Sequence, residues 1–184
     1  MTSYEVLKEL DEELAIFGKF DNVLLIGFGD GGFIEYSSET ATKTFGIDAE
    51  QAYNHHKKKF DSMKGGNVRL LPGDVFATRP LSLTKGEKID VLILNLPLNL
   101  FRSLNALQNF LPALKKNGKV LISLELDGQP PETVKHLATK MLGEIKLSNP
   151  KYAQPMVMPF AKNNLYVLLR NSPPDKEMEV IVLN

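Results

Sequence analysis

An apolar run that ends in a cluster of glycines constrains this chain more than any other feature. Val23 to Gly32 reads V-L-L-I-G-F-G-D-G-G, and Phe45-Gly46-Ile47-Asp48 follows it. Val23 to Ile26 is wholly apolar, as expected of a central parallel strand covered on both faces. A short helix over Phe33 to Glu39 and a second strand over Thr44 to Ile47 come next. The second strand runs into a carboxylate about 20 residues beyond the glycines, the layout of a nucleotide-binding βαβ unit.

The chain has 184 residues, which suits one domain with one substantial core. Residues 1–20 are expected to form an N-terminal helix, 21–171 the core, and 172–184 an edge strand or tail. Lys plus Arg and Asp plus Glu are both 22, so the formal net charge is zero. Neutrality disfavours a free-standing nucleic-acid binder, which carries a basic excess. There is no cysteine, so disulfides, thiolate metal sites and a Cys nucleophile are excluded. No segment reads as a signal peptide or a membrane span, and a soluble cytoplasmic protein is the expectation.

Thr2-Ser3-Tyr4-Glu5 has the form of a capping box. Leu7, Leu10, Leu14 and Phe17 then share a helical face, and Gly18 is placed to end the helix. Asp48 can cap a helix in which Ala52, Tyr53, His56, Phe60 and Met63 share a face and Gly65-Gly66 is the stop. Strands are expected over Val68–Leu71, Ile89–Leu94 and Val120–Leu124. The segment from Asn99 to Lys116 reads as helical, with Leu100, Leu104, Leu107, Leu111 and Leu114 inside and Pro112 as a kink or restart. Pro130-Pro131 opens a further helix ending near Leu142. Ile145–Leu147 and Leu165–Leu169 read as a closing strand pair, and Met178–Leu183 as an edge strand. The fold class is therefore α/β, a Rossmann-like three-layer sandwich with ligands at the carboxyl ends of its strands.

Within the glycine cluster, Gly27 and Gly29 permit a sharp turn and close approach to a ligand, with Phe28 between them. Gly31 or Gly32 allows the next helix to pack close, so that its amides face the ligand. Asp48 can accept both ribose hydroxyls and would repel a 2′-phosphate, which disfavours NADP; the same residue also fits a helix N-cap. Asp74 can accept from an adenine amino group or simply shape a turn. Val75, like Ala49 beside Asp48, would present a backbone amide. Asp30 discriminates between ligands. A pyrophosphate wants bare amides at that place, whereas an ammonium or sulfonium group is attracted to a carboxylate. Asp30 therefore favours S-adenosylmethionine over NAD.

On these residues the chain resembles the class I S-adenosylmethionine-dependent methyltransferases from about Asp21 to Asn171. The landmarks are G-F-G-D-G-G, F-G-I-D, P-G-D-V, I-D-V-L-I-L-N-L-P and L-P-A-L-K-K-N-G-K-V-L-I-S. The resemblance implies a seven-stranded, mostly parallel sheet with one antiparallel strand near the C-terminus. The glycine motif is also similar to that of the spermidine synthase group, which uses decarboxylated S-adenosylmethionine. Leu25 stands where most methyltransferases carry an acid. That group, however, places a catalytic Asp after the fourth strand. Asn95 stands here, and an amide cannot be the base. Asn95-Leu96-Pro97 is similar to the N-L-P-Y motif of the adenine-N6 methyltransferases of ribosomal RNA, with Leu98 in place of the aromatic and Phe101 as the nearest one. That likeness implies a role for Asn95 in orienting an acceptor.

The remaining candidates have plain structural alternatives. His55, His56 and His136 cannot form a metal pair at helical spacing and read as surface or partly buried residues. Lys57, Lys58 and Lys59 read as a solvated helix face. Asn149 to Phe160, with Met156 and Met158, is unusually apolar for a loop. It reads as a lid, a subunit contact or packing on the sheet edge, with Tyr152 or Phe160 walling an acceptor pocket. Glu125 and Asp127 are the nearby carboxylates available as a base. The expected activity is methyl transfer to a small molecule or an exposed amine, with a homodimer as an open alternative. A non-catalytic binding module and aminopropyl transfer are the competing readings.

Overall fold

The apolar strands alternate their side chains between two cores, and this explains why they carry no polar face. In the computed structural model, which describes residues 2–62, 66–95, 100–125, 130, 132–133, 136, 140, 156–160 and 164–169, the element order is α1 (Ser3–Leu14), β1 (Asn22–Ile26), α2 (Gly32–Thr40), β2 (Lys43–Asp48), α3 (Glu50–Asp61), β3 (Val68–Pro72), α4 (Pro80–Leu83), β4 (Ile89–Leu94), α5 (Leu100–Phe110), β5 (Leu114–Glu125), β6 (Met156–Phe160) and β7 (Asn164–Leu169). Five strands form a parallel sheet in the order β3-β2-β1-β4-β5. β7 runs antiparallel beside β5, and β6 pairs antiparallel with β7.

Val23, Leu25, Val91, Ile93 and Leu121 pack with α1, α2 and Phe60 of α3. Leu24, Ile26, Leu92, Leu94, Val120 and Ile122 pack on the other face with Leu83, Ala106, Leu107 and Phe110. β1, β4 and β5 thus each contribute to both cores with the period of two that a pleated backbone imposes. Among the described residues, no helix is long and apolar enough to cross a membrane.

The capping box forms as expected: the Thr2 hydroxyl accepts from the Glu5 amide and the Glu5 carboxylate from the Thr2 amide. The helix that follows stops earlier than the periodicity suggests. It ends at Leu14, with Ala15 left-handed at φ 47°, so Phe17 and Gly18 lie beyond it. Side chains account for the early exit. One Asp11 oxygen accepts from the Phe17 amide at 2.8 Å, and the other accepts from the Tyr36 hydroxyl at 2.8 Å. Lys119 donates to the carbonyls of Ala15 and Ile16 at 2.6 and 2.8 Å, taking up acceptors that the helix end would leave open. Burial, and then the Asp11 carboxylate, raise the pKa of the Tyr36 hydroxyl above the usual tyrosine range.

The expected helix through Lys116 is also corrected. α5 ends at Phe110, a 3-10 turn carries Leu111–Ala113, and the chain enters β5 at Leu114. Pro112 has no amide to continue an α-helix. Leu114 pairs with Ile89 and Lys119 with Val91, so the residues between them bulge opposite Asp90. Lys115 is anchored to the Asp90 carboxylate at 2.8 Å. At the far edge, the strand paired with Asn164–Leu169 is Met156–Phe160, inside the segment expected to be a loop. The remainder of Asn149–Phe160, Ile145–Leu147, Met178–Leu183 and most of the Pro131–Leu142 helix lie outside the described residues.

Replacing Asp11 by Ala leaves the buried Tyr36 hydroxyl and the Phe17 amide without their acceptor. The variant should lose about 1–3 kcal/mol of stability in urea titration. Unchanged stability would show that this carboxylate does not organise the junction of α1 and α2.

Candidate functional site

The site is built where β1 ends between β2 and β4. The Gly27 amide donates to the Ile47 carbonyl at 2.9 Å, and the Asn95 amide to the Ile26 carbonyl at 2.8 Å. These bonds extend the two parallel ladders to the tips of the strands. The chain then turns through Gly29 and Gly31, with φ of 54° and 84°. Both positions also lack room for a side chain. A Cβ on Gly29 would lie 2.8 Å from the side-chain Nδ2 of Asn95, and one on Gly31 would lie 2.9 Å from Nδ1 of His56. Only glycine meets both conditions without strain. Phe28, between Gly27 and Gly29, is fully buried, its ring against Gly46.

Asp48 clamps this turn to β2. Its Oδ2 accepts from the Phe28 amide at 2.6 Å, and Oδ1 accepts from the Ala49 amide at 2.7 Å. The helix cap expected of Asp48 is not what forms. Ala49 is the N-cap of α3 and makes no side-chain cap. The Asp48 carboxylate is engaged across the strands instead. Its backbone carbonyl accepts from Gly73 at 2.9 Å, which carries the ladder on to β3.

A cavity of about 690 Å³ opens beside the clamp, lined by Asp48, Ala49, Glu50, Gly73, Asp74 and Val75. The structure thus gathers Asp48, Ala49, Asp74 and Val75 in one place. Asp74 folds an Asx turn, accepting from the Phe76 amide at 2.8 Å. The loop is pinned from α5. Asn109 donates its side-chain amide to the carbonyls of Val75 and Thr78, both at 3.0 Å. Asn109 belongs to no sequence motif, and its one local signal is a polar amide beside the core residues Leu107 and Phe110. With three carboxylates and no cation among the residues named, this cavity attracts hydroxyl, amino and cationic groups and repels phosphate.

Asp30 sits on the other side of the turn from that cavity. Its carboxylate accepts from the Ser3 hydroxyl and amide, and from the Gly32 amide at 2.9 Å. It borders a second cavity of about 670 Å³ with Thr2, Tyr4, Glu5, Glu35 and Glu39. Burial works to raise the pKa of Asp30. The hydrogen bonds from Ser3 and Gly32 outweigh it and hold the pKa below the ordinary value. The first turn of α1 therefore occupies the carboxylate expected to meet a cationic ligand.

The Asn95 side chain adjoins Gly29 at the tip of β4. Leu25, where an acid was the alternative, is fully buried in the core under α1 and α2. His56 is 6% exposed, and its Nε2 lies 3.1 Å from the Gly29 carbonyl. It is buried rather than at the surface because it shares the inward face of α3 with Phe60. His55 and His136 are exposed. Lys57 to Lys59 form an exposed face on which Lys59 pairs with Glu35 at 2.7 Å. Among the described residues, no group of His, Cys, Asp and Glu side chains is arranged to hold a metal ion. Leu96 to Asn99, Asp127 and Tyr152 lie outside the described residues, as do the side chains of Phe101, Glu125, Met156, Met158 and Phe160.

No protein-family model matches the sequence, and no curated protein does. Solved structures do match in fold. SMU.1697c from Streptococcus mutans, solved in complex with SAH, superposes with a TM-score of 0.66 at 18% identity, over 94% of this chain and 99% of that one. The N-methyltransferase NodS from Bradyrhizobium japonicum gives 0.64 at 14% identity, over 93% and 95%. An rRNA methylase from Streptococcus thermophilus gives 0.61 at 18% identity, over 92% and 93%. The chain therefore has the Rossmann-like α/β fold that these methyltransferases share.

The lowered pKa of Asp30 sets a pH dependence. A carboxylate that binds its proton less readily when folded contributes stability above its unfolded pKa, near 4, and loses it as pH falls through the folded value. In urea titrations from about pH 6 down to pH 2, the stability gap between wild type and Asp30→Asn should be largest above about pH 4 and close below it. A gap independent of pH would refute the assignment.

Proposed function

We propose that the chain is a methyltransferase-like protein of the class I group that binds S-adenosylmethionine and transfers its methyl group to a small molecule or an exposed amine. On this reading residues 1–184 form one domain, its sheet is the seven-stranded one with a single reversed strand, and the acceptor is not nucleic acid. The observation that carries the proposal is the Asp48 clamp beside its acidic cavity. A carboxylate has about four lone-pair positions, and the Phe28 and Ala49 amides use two. The others are free in number to accept two ribose hydroxyls. Asp74 and the Val75 amide stand at the adenine end of the same cavity. The excess of carboxylates suits a sulfonium nucleoside and opposes a dinucleotide.

When bound, the sulfonium supplies an electrophilic methyl carbon. The protein's residues have the task of alignment. The glycine turn brings backbone close to the ligand, and Asn95, fixed to β1 through its amide, orients the acceptor from the tip of β4. Holding acceptor, carbon and sulfur in line and excluding water supply the rate gain. The acceptor's lone pair forms the new bond to carbon, sulfur keeps the electrons of the broken bond, and the acceptor releases a proton. No dedicated base is required when the acceptor is already nucleophilic.

Leu25 and Asn95 favour a second reading, a binding module that holds the nucleoside without transfer. Asn95 also argues against aminopropyl transfer, which requires a base there. Calorimetry with S-adenosylmethionine, its decarboxylated form, SAH and NAD separates the readings. The methyl donor and SAH should bind, and NAD should not. Asp48→Ala should weaken SAH by about 1.5–3 kcal/mol, the worth of hydrogen bonds to a charged group. Unchanged affinity would contradict the assigned role. Binding with no turnover on a panel of amines would select the binding module.

A further inference from the structure

His56 belongs to α3, outside the glycine turn, and nothing in the proposed chemistry requires it. Yet it is one of few buried polar side chains among the described residues, and its side-chain hydrogen bond goes to the turn. Its Nε2 lies 3.1 Å from the Gly29 carbonyl oxygen. A carbonyl only accepts, so Nε2 carries the hydrogen. Its Nδ1 edge closes on Gly31, leaving no room for a side chain there. The rings of Phe28 and Phe60 flank it, with centroids 6.2 and 6.1 Å away. The imidazole thus touches Phe28, Gly29 and Gly31 from one side.

Holding one carbonyl fixes more than one atom. The Gly29–Asp30 peptide is trans, so its N–H points away from the face that carries the carbonyl. Anchoring the oxygen to α3 directs the Asp30 amide to the opposite side. Gly29, at φ 54°, has a backbone free to adopt other turns once that anchor is lost. We propose that His56 is a positioning residue for the nucleoside site: its Nε2–H grips the Gly29 carbonyl and sets the glycine turn in its ligand-accepting form. This inference rests on the reading of the turn as an S-adenosylmethionine site.

The test compares His56→Leu with His56→Gln. Leucine fills similar space and has no donor, whereas glutamine can place an N–H near the Nε2 position. A packing role alone tolerates leucine better than glutamine in these aromatic surroundings. A positioning role reverses the order. By calorimetry, His56→Leu should weaken SAH by about tenfold and His56→Gln should stay within about threefold of wild type, the loss expected when a buried acceptor is left unpaired. Thermal unfolding checks that both variants fold. Equal binding by His56→Leu and wild type overturns the inference.

Two ligand-free measurements keep it separate from the cofactor reading. Nitrogen NMR of the wild-type imidazole should show the hydrogen on Nε2. Amide exchange at Gly31, which donates to the Phe28 carbonyl at 2.8 Å, should quicken in His56→Leu and not in His56→Gln. A hydrogen on Nδ1, or unchanged Gly31 exchange, overturns the proposal whether or not SAH binds. Failure of wild type to bind SAH overturns the cofactor reading, and with it the nucleoside role given to His56.

Discussion

The hydrogen bond from the Phe28 amide to the Asp48 carboxylate ties the end of β1 to the end of β2, and the arrangement of the site depends on it. Parallel strands leave their last amides without partners once the ladder stops. Here a charged acceptor takes the first free amide beyond Gly27. The turn can then reverse direction at once, over a ring buried on Gly46, and deliver the chain to α2. The bond is charge-assisted and only partly exposed, which makes it stronger than an ordinary amide–carbonyl pair. It also consumes part of the hydrogen-bonding capacity of Asp48 and leaves lone-pair positions for the proposed ribose.

The turn is braced from two further sides. α3 reaches it through His56, and α1 reaches it through Ser3, which engages Asp30. α1 is in turn held by Asp11, Tyr36 and Phe17 against α2. The N-terminal helix thus braces the turn from the side of the second cavity. Asp30, the residue that first distinguished a cationic ligand from a pyrophosphate, contributes negative potential there while its oxygens bond to α1.

The central strands β1 and β4 were legible in the sequence because burial on both faces leaves a nearly unbroken apolar run in each. Ile89–Leu94 falls where its apolar run places it; β1 and β3 differ from expectation by one residue at one end, and β2 by one residue at each end. The misreadings share a cause. Leu7, Leu10, Leu14 and Phe17 keep helical spacing, but Asp11 and Lys119, distant in sequence from their partners, end the helix at Leu14. Leu114 fits a helical face, but strand pairing with Ile89 claims it. Asp48 has the side chain of an N-cap, but the nearer unpaired amide belongs to Phe28. Asn109 and His56 act on loops far along the chain, and local pattern does not reveal such bonds. The glycine turn itself was legible because its backbone demands a residue type, whereas its braces demand only a donor in the right place.

In the proposed function the backbone at the tips of β1, β2 and β3 forms one nucleoside site assembled around Asp48. Amide-resolved NMR during titration with SAH tests it most directly. The Gly27, Phe28, Gly29, Ala49 and Val75 amides should shift together along one saturating curve, while amides of the outer face of α3, such as Lys58, should stay still. Saturable binding that leaves those five amides unmoved, or that shifts them independently of one another, would contradict it.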